Sequence, residues 1–268
     1  MFNPSDPEEI KKLISNRCNK LDYEIYIFGK LDSTNEYLKR LVKNNEANSG
    51  DICIAGCQTH GKGRRGREWI SPCGGNIYLS ICYDASNKDA LKLNGMTLGL
   101  GVAVGLAIQE ISGIIVRMKW PNDIYFNNKK MGGILVEEIS SNKKRYWIIG
   151  VGLNIQEMDK DPCMDMNPIG LAEIWKDAFS KRDQLISRII ENLLSFCEKI
   201  NENVLRDYLQ LWSSLDLFLG KEIEIYREDG SVILGRGAGI DDGGRLMVKT
   251  SQGLKILDSS FVSARLVQ

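Results

Sequence analysis

The stretch that most limits how this chain can fold is residues 58–69, Gln58-Thr59-His60-Gly61-Lys62-Gly63-Arg64-Arg65-Gly66-Arg67-Glu68-Trp69. Glycines alternate with cations there, and a tryptophan closes the run. The glycines spell G-x-G-x-x-G, which in a dinucleotide-binding fold must leave a strand and open a helix. A strand does precede it, at residues 51–56. On its other side stands the turn chemistry of Ile70-Ser71-Pro72-Cys73-Gly74-Gly75-Asn76, and then an alternating second strand at 77–83. A strand–loop–strand unit fails the Rossmann context. The loop also lacks G-x-x-x-x-G-K-[ST], so it is no Walker-type phosphate loop. It is a glycine-hinged cationic loop, suited to pressing a backbone and several cations onto phosphate or carboxylate groups. Its plain alternative is a solvated basic hairpin tip.

The chain before the loop offers a short helix at 10–18 and a strand at 23–28. Ser33 or Thr34 is placed to cap a helix carrying Tyr37, Leu38 and Leu41. After the loop, residues 90–111 form an apolar helix in which Gly95, Gly99, Ala103 and Ala107 share one face, a packing stripe. Residues 114–120 read as a strand ended by Pro121, Asn122 and Asp123 as a turn, and 127–130 as a hairpin tip. The strands at 131–139 and 146–155 contain Gly132, Gly133, Gly150 and Gly152, which marks the floor of a pocket. Residues 156–167 are polar and looped. Helices are expected at 169–175, 181–200 and 205–212.

Past Gly220 the pattern changes to five short strands, at 221–226, 232–237, 245–250, 254–257 and 262–267, separated by Asp-Gly and Gly-Gly turns. That suggests a small β-barrel. The expectation is an α+β protein in two parts. Residues 1–216 form a mixed, largely antiparallel sheet flanked by helices, and 217–268 form the small barrel.

Lys+Arg and Asp+Glu are 35 each, so a basic site must be local, and a general nucleic-acid binder is disfavoured. Residues 1–12 are polar and acidic, unlike a signal peptide. The apolar stretch at 93–108 is glycine-rich and too short to span a membrane. Seven cysteines without C-x-x-C spacing, and a single histidine, suggest reduced cytoplasmic thiols and no metal finger. His60 is the sole partner for a cysteine nucleophile, and no orienting acid stands near it in sequence.

The informative loops hold Ser33, Thr34, Asn35, Gln58, Lys62, Arg64, Arg67, Trp69, Lys119, Asn122, Asp123 and Lys130. They offer amides, hydroxyls, cations, one carboxylate and one aromatic plate, with no nucleophile pair. Such a set suits the positioning of anionic reactants, as in joining a carboxylate to a nucleotide phosphate.

These same residues carry a family resemblance. Gly61-Lys62-Gly63-Arg64-Arg65-Gly66-Arg67-Glu68-Trp69 resembles the adenylate-binding loop of biotin protein ligases, GRGRRGR.W. Lys119-Trp120-Pro121-Asn122-Asp123 resembles their KWPND motif. Lys129-Lys130-Met131-Gly132-Gly133-Ile134-Leu135-Val136-Glu137 is similar to K-x-x-GILVE. Gly150-Val151-Gly152-Leu153-Asn154 is similar to G-x-G-x-N, and Asp32-Ser33-Thr34-Asn35 to DSTN. The five motifs keep the family order, and the small C-terminal barrel also fits.

The resemblance implies a class II synthetase-like catalytic domain with a C-terminal barrel of Src-homology-3 type. It implies that biotin and ATP, with Mg²⁺, give biotinyl-5′-AMP, and that the biotinyl group passes to one lysine of a biotin carboxyl carrier domain. Ser33, Thr34, Asn35 and Gln58 would bind the ureido end. Gly61, Lys62, Gly63, Arg64 and Arg67 would frame the carboxyl and phosphate side, with Lys119 nearby. Trp69 would flank the adenine, while Asn122 and Asn154 would hold the nucleotide above Gly133 and Gly152. Lys130 and Arg64 would neutralise the reacting anions, and Asp123 would assist deprotonation of the acceptor lysine. The plain readings are turn formation for Asp123 and an exposed hairpin tip for Lys130.

Lys62 departs from the family's usual arginine, keeping charge but losing the bidentate fork. The DSTN-like element begins at residue 32, which leaves no room before it for a helix-turn-helix domain, so a ligase without repressor function is expected. A sheet edge at 134–139 offers pairing to the carrier or to a second copy in a homodimer. Three rivals stand beside this reading. One is a lipoate–protein ligase of the same fold, the second a basic-loop nucleic-acid module, and the third a biotin-binding protein without catalysis.

Overall fold

A computed structural model describes residues 10, 12–13, 23–88, 93–157, 168–260 and 262–267. Most of the helix expected at 10–18, and most of the loop at 156–167, lie outside the described residues.

Seven strands form the larger sheet. They are β1 (Ile25–Phe28), β2 (Ile52–Ala55), β3 (Ile77–Asp84), β4 (Arg117–Lys119), β5 (Asp123–Phe126), β6 (Lys129–Ser141) and β7 (Lys144–Leu153). Their order is β1-β2-β3-β7-β6-β5-β4. Only β1 and β2 run parallel, so the sheet is mixed and largely antiparallel as expected.

Strand periodicity sorts the side chains between two faces. Ile52, Ile54, Leu79, Ile81, Ile149 and Val151 enter the main core under helices α2 (Leu93–Ser112), α3 (Arg182–Lys199) and α4 (Glu202–Leu215). Cys53, Cys82 and Ile148 face the other way and pack with Leu38 and Val42 of helix α1 (Thr34–Asn44). The apolar α2 is a core helix whose small stripe admits neighbours. A side chain at Gly99 would strike the Phe196 ring, and one at Gly95 would crowd Leu205.

Three sequence expectations differ here. Residues 169–175 give only a 3-10 turn, Leu171–Glu173. Their amides are consumed at the sheet end, Ile169 donating to the Lys130 carbonyl and Leu171 to that of Asn154. The strand at 114–120 shrinks to Arg117–Lys119, the three residues that pair in register with β5. The thiols are not all reduced, since Cys57 and Cys73 form a disulfide, while Cys53, Cys82 and Cys197 are buried and free.

Strands β8 (Glu222–Arg227), β9 (Val232–Ile240), β10 (Leu246–Thr250), β11 (Gly253–Leu257) and β12 (Val262–Leu266) form a second, wholly antiparallel sheet ordered β11-β10-β9-β8-β12. Two bonds seat it on the larger sheet. The Leu217 amide donates to the Met118 carbonyl at 2.8 Å, and Trp120 Nε1 donates to the Gly244 carbonyl at 3.0 Å.

Candidate active site

Helix α1 covers only part of its face of the large sheet. The uncovered part, floored by Gly133, Gly150 and Gly152, is the base of a cavity of about 770 Å³. Its far wall is β12 with Leu217, so the cavity lies between the two sheets. The glycines keep the floor low. A side chain at 150 would collide with Asn35 Oδ1, and a Cβ at 152 would come within 2.5 Å of the Trp69 indole. Gly132 points to the opposite face and is not floor, because strand alternation turns it toward Leu153.

At one end of the cavity sits the start of α1. Ser33 occupies the N-cap position, yet its buried hydroxyl makes no capping bond. The cap comes from elsewhere: Gln58 Oε1 accepts from the Thr34 amide at 2.9 Å. Gln58 Nε2 donates to Ser71 Oγ at 2.9 Å, and Ser71 Oγ donates to the Trp69 carbonyl at 2.8 Å. Ser80 Oγ lies 2.7 Å from Thr34 Oγ1 and 2.6 Å from Asn35 Oδ1. A polar chain therefore ties Asn35 to the root of the loop. Sequence reasoning missed Ser80 and Ser71. The signal for Ser80 was a single serine in the otherwise aliphatic, aromatic and cysteine run 77–83, whose hydroxyl burial makes costly unless bonded.

The loop itself is a small closed hairpin. Gly63 N donates to the Arg67 carbonyl at 2.7 Å and Trp69 N to the Gly61 carbonyl at 2.9 Å. The turn needs left-handed backbone at Arg65 (φ 57°) and Gly66 (φ 71°). Arg64 Nη2 donates to the Ser259 carbonyl at 2.9 Å, which pins the tip to the second sheet. Burial lowers the Arg64 pKa, which still leaves a guanidinium charged at neutral pH. Lys62 pairs with Glu36 at 2.7 Å. Trp69 lies over Gly152, and its buried Nε1 has no hydrogen-bond partner.

The other end is built by β4–β6. The Trp120–Pro121 peptide is cis. Asn122 Nδ2 donates to the Ile134 carbonyl at 2.7 Å. Asp123 is not a turn residue but the first residue of β5, paired in register with Gly133 and Lys119. Lys130 is not an exposed tip: its side chain is 12% exposed, and Nζ lies 2.7 Å from Asp123 Oδ1 and 5.1 Å from the Trp69 ring centroid. Lys119 Nζ donates to Tyr125 Oη at 3.2 Å, and burial lowers its pKa.

Ser33, Thr34, Asn35, Gln58, Lys62, Gly63, Arg64, Arg67, Trp69, Lys119, Asn122, Asp123, Lys130, Gly133 and Gly152 thus line one cavity. Two expected residues do not. Gly61 faces away because a Cβ there would hit Trp69 and Ser71. Asn154 lies behind Lys130, its Nδ2 donating at 3.5 Å to the Lys130 carbonyl. No cluster of three or more metal-binding side chains occurs among the described residues.

Residues 28–154 match the Biotin/lipoate A/B protein ligase family and 218–265 the Biotin protein ligase C terminal domain. The bifunctional ligase/repressor BirA of Salmonella typhimurium is 32% identical over 266 residues, which is 97% of this chain and 80% of that one. The chain belongs to the biotin protein ligase family. The Escherichia coli BirA is 34% identical over 247 residues, covering 91% and 75% of the two chains. Among solved biotin protein ligases, that of Aquifex aeolicus in complex with biotin and ATP aligns with TM-score 0.73 at 31% identity, over 91% of this chain and 99% of that chain. The biotin protein ligase fold therefore accounts for both sheets, and these relatives favour it over a lipoate ligase or a nucleic-acid module.

Proposed function

We propose that this cavity activates biotin as biotinyl-5′-AMP and passes the biotinyl group to a lysine of a biotin carboxyl carrier domain. The observation that carries the reading is that Ser33–Asn35, Arg64, Trp69 and Lys130 share one glycine-floored cavity. The ureido group needs an acceptor and donors in a fixed pattern. Ser33, Thr34, Asn35 and Gln58 supply hydroxyls and amides already held by Ser80 and Ser71. The valeryl carboxylate then points along the floor toward Arg64 and Lys130.

In the first step a carboxylate oxygen attacks the α-phosphorus, the bond to the bridging oxygen breaks, and pyrophosphate leaves. Both reactants are anionic, so preorganised cations lower the barrier by meeting charge as it develops. Lys130 and Arg64 are those cations, with Gly63 and the Lys62 backbone framing the phosphate, Lys119 partly buried in the wall and Arg67 at the rim. Trp69 flanks the adenine above Gly152 and Gly133, and Asn122 steadies the nucleotide. Asn154 acts through the Lys130 main chain. Mg²⁺ enters on the ATP phosphates as part of the substrate, since the cavity offers Asp123 and Glu68 rather than a carboxylate cage.

In the second step the carrier lysine's amine attacks the acyl carbon and AMP leaves. The proton passes to Asp123, which Lys130 holds in place. The pairing partner beyond β5 is the free edge of β6 past Gly133, where a carrier strand or a second copy would add. Incubation with biotin, MgATP and a carrier domain tests the reading by intact mass. One biotinyl addition per carrier supports it. Preference for lipoate in competition, or adenylate formation without transfer, overturns it.

A further inference from the structure

Four charged side chains run in a line from the loop to the sheet. Glu36 Oε1 accepts from Lys62 Nζ and from Lys39 Nζ, each at 2.7 Å. Lys39 also reaches Glu137 Oε1 at 2.9 Å, and Glu137 Oε2 accepts from Asn35 Nδ2 at 2.8 Å. The ammonium of Lys62 is thus turned to the first turn of α1, while its backbone bridges Glu68 inside the hairpin. Burial acts to raise the Glu36 pKa, but hydrogen bonds from Lys39 and Lys62 outweigh it and hold the carboxyl below its ordinary value. An isolated surface ion pair contributes little. This one is braced, because Lys39 roots Glu36 in β6 through Glu137.

We propose that Glu36 is a positioning residue, fastening the glycine–arginine loop to helix α1 through Lys62 so that the activated acyl intermediate stays bound until transfer. The inference rests on the ligase reading above and assigns the Lys62 ammonium to loop attachment rather than to the reactants' anions. The loop tip is held by Ser259 and its C-terminal arm by Ser71 and Gln58. The start of the N-terminal arm is held by the Thr59 and His60 amides, which donate to the Leu31 and Asp32 carbonyls, and Glu36 adds the side-chain hold farther along, at Lys62. A lysine suits the task, since one oxygen shared by two ammonium groups needs point charges, not a planar fork. Asn35 stands at the far end of the same line, so loop attachment and the ureido end share one brace.

The test separates formation of the intermediate from its escape. Single-turnover pyrophosphate release and biotinyl-5′-AMP dissociation are measured for the wild type, Glu36→Gln, Lys62→Gln, the double variant and the exposed control Glu46→Gln. In Glu36→Gln, dissociation should accelerate about three- to tenfold while pyrophosphate release changes less than about twofold, and Lys62→Gln should accelerate dissociation to the same extent. The double variant should match either single one, because the two changes remove one interaction. Added salt should bring the wild type toward the variants and leave the variants unmoved. Glu46→Gln should behave as wild type. Dissociation unchanged in Glu36→Gln overturns the proposal. So does a slowing of pyrophosphate release confined to Lys62→Gln, which would return that ammonium to the reactants. A wild type that forms no adenylate overturns the ligase reading itself, and is recognised by the absence of any pyrophosphate burst.

Discussion

Lys130 Nζ lies 2.7 Å from Asp123 Oδ1, both side chains are mostly buried, and the ammonium sits 5.1 Å from the Trp69 ring centroid. In the proposed reaction the pair joins the residue that offsets the first step's charge to the one that takes the second step's proton. The two roles should therefore separate by mutation. Lys130→Ala should lower the adenylation rate by about 10²- to 10³-fold, the usual loss on removing one preorganised electrostatic group. Asp123→Asn should spare adenylation far more than transfer. Pyrophosphate release measured beside carrier biotinylation checks both, and equal losses in the two assays for Asp123→Asn would remove it from the transfer step.

Arg64→Gly should loosen the loop tip by deleting the bond to the Ser259 carbonyl. Activated biotin should then escape and label lysines of a bystander protein. Streptavidin blotting of a mixture with an unrelated protein reads this directly. A variant that keeps its adenylate as tightly as the parent would show that the tip does not retain it.

The floor tolerates no side chain. Gly152→Ala should weaken ATP binding more than biotin binding, because its methyl group displaces Trp69. Gly150→Ala should do the reverse, pushing on Asn35. Overpacking of this kind costs about 1–3 kcal/mol, so thermal melts must accompany the titrations.

Burial raises the Asp216 carboxyl to about 6 from its ordinary value of 3.8, and its Oδ2 has no hydrogen-bond partner. The folded protein therefore binds a proton that the unfolded chain releases between those values. Stability linked to this group is full below about 4 and is lost as pH rises through about 6, on the order of 3 kcal/mol. Asp216→Asn should flatten that decline and melt higher than the parent at pH 7 to 8, as read by chemical denaturation across pH.

The Cys57–Cys73 bridge closes the segment that carries the loop, at a sequence separation of 16. Reduction, or Cys57→Ser with Cys73→Ser, should lower stability by about 3 kcal/mol in the chain-entropy account. Melting with and without a thiol reductant, with the double serine variant as the insensitive control, checks it.

Much of the cavity was legible in the sequence because each motif carries its chemistry within a few adjacent residues. The loop, Asn122-Asp123 and the strand glycines announce themselves by type and spacing. Long-range pairings were not legible. Ser80 meets Asn35, and Glu137 meets Lys39, only after β3, β7 and β6 align beside α1. Gln58 replaces the expected Ser33 hydroxyl as the cap because the chain returns past the helix start at Leu31 and Gln58. The exposed hairpin-tip reading of Lys130 failed for the same reason, since its cover is supplied by Trp69 from a distant loop.

Ser33 and Arg265 face the same cavity although one is near the start of the chain and the other near its end. During synthesis the first wall leaves the ribosome long before the last strand can pair with β8. A chain in which β12 has not yet paired with β8 therefore presents a half-walled trough, open to water along the side that β12 closes.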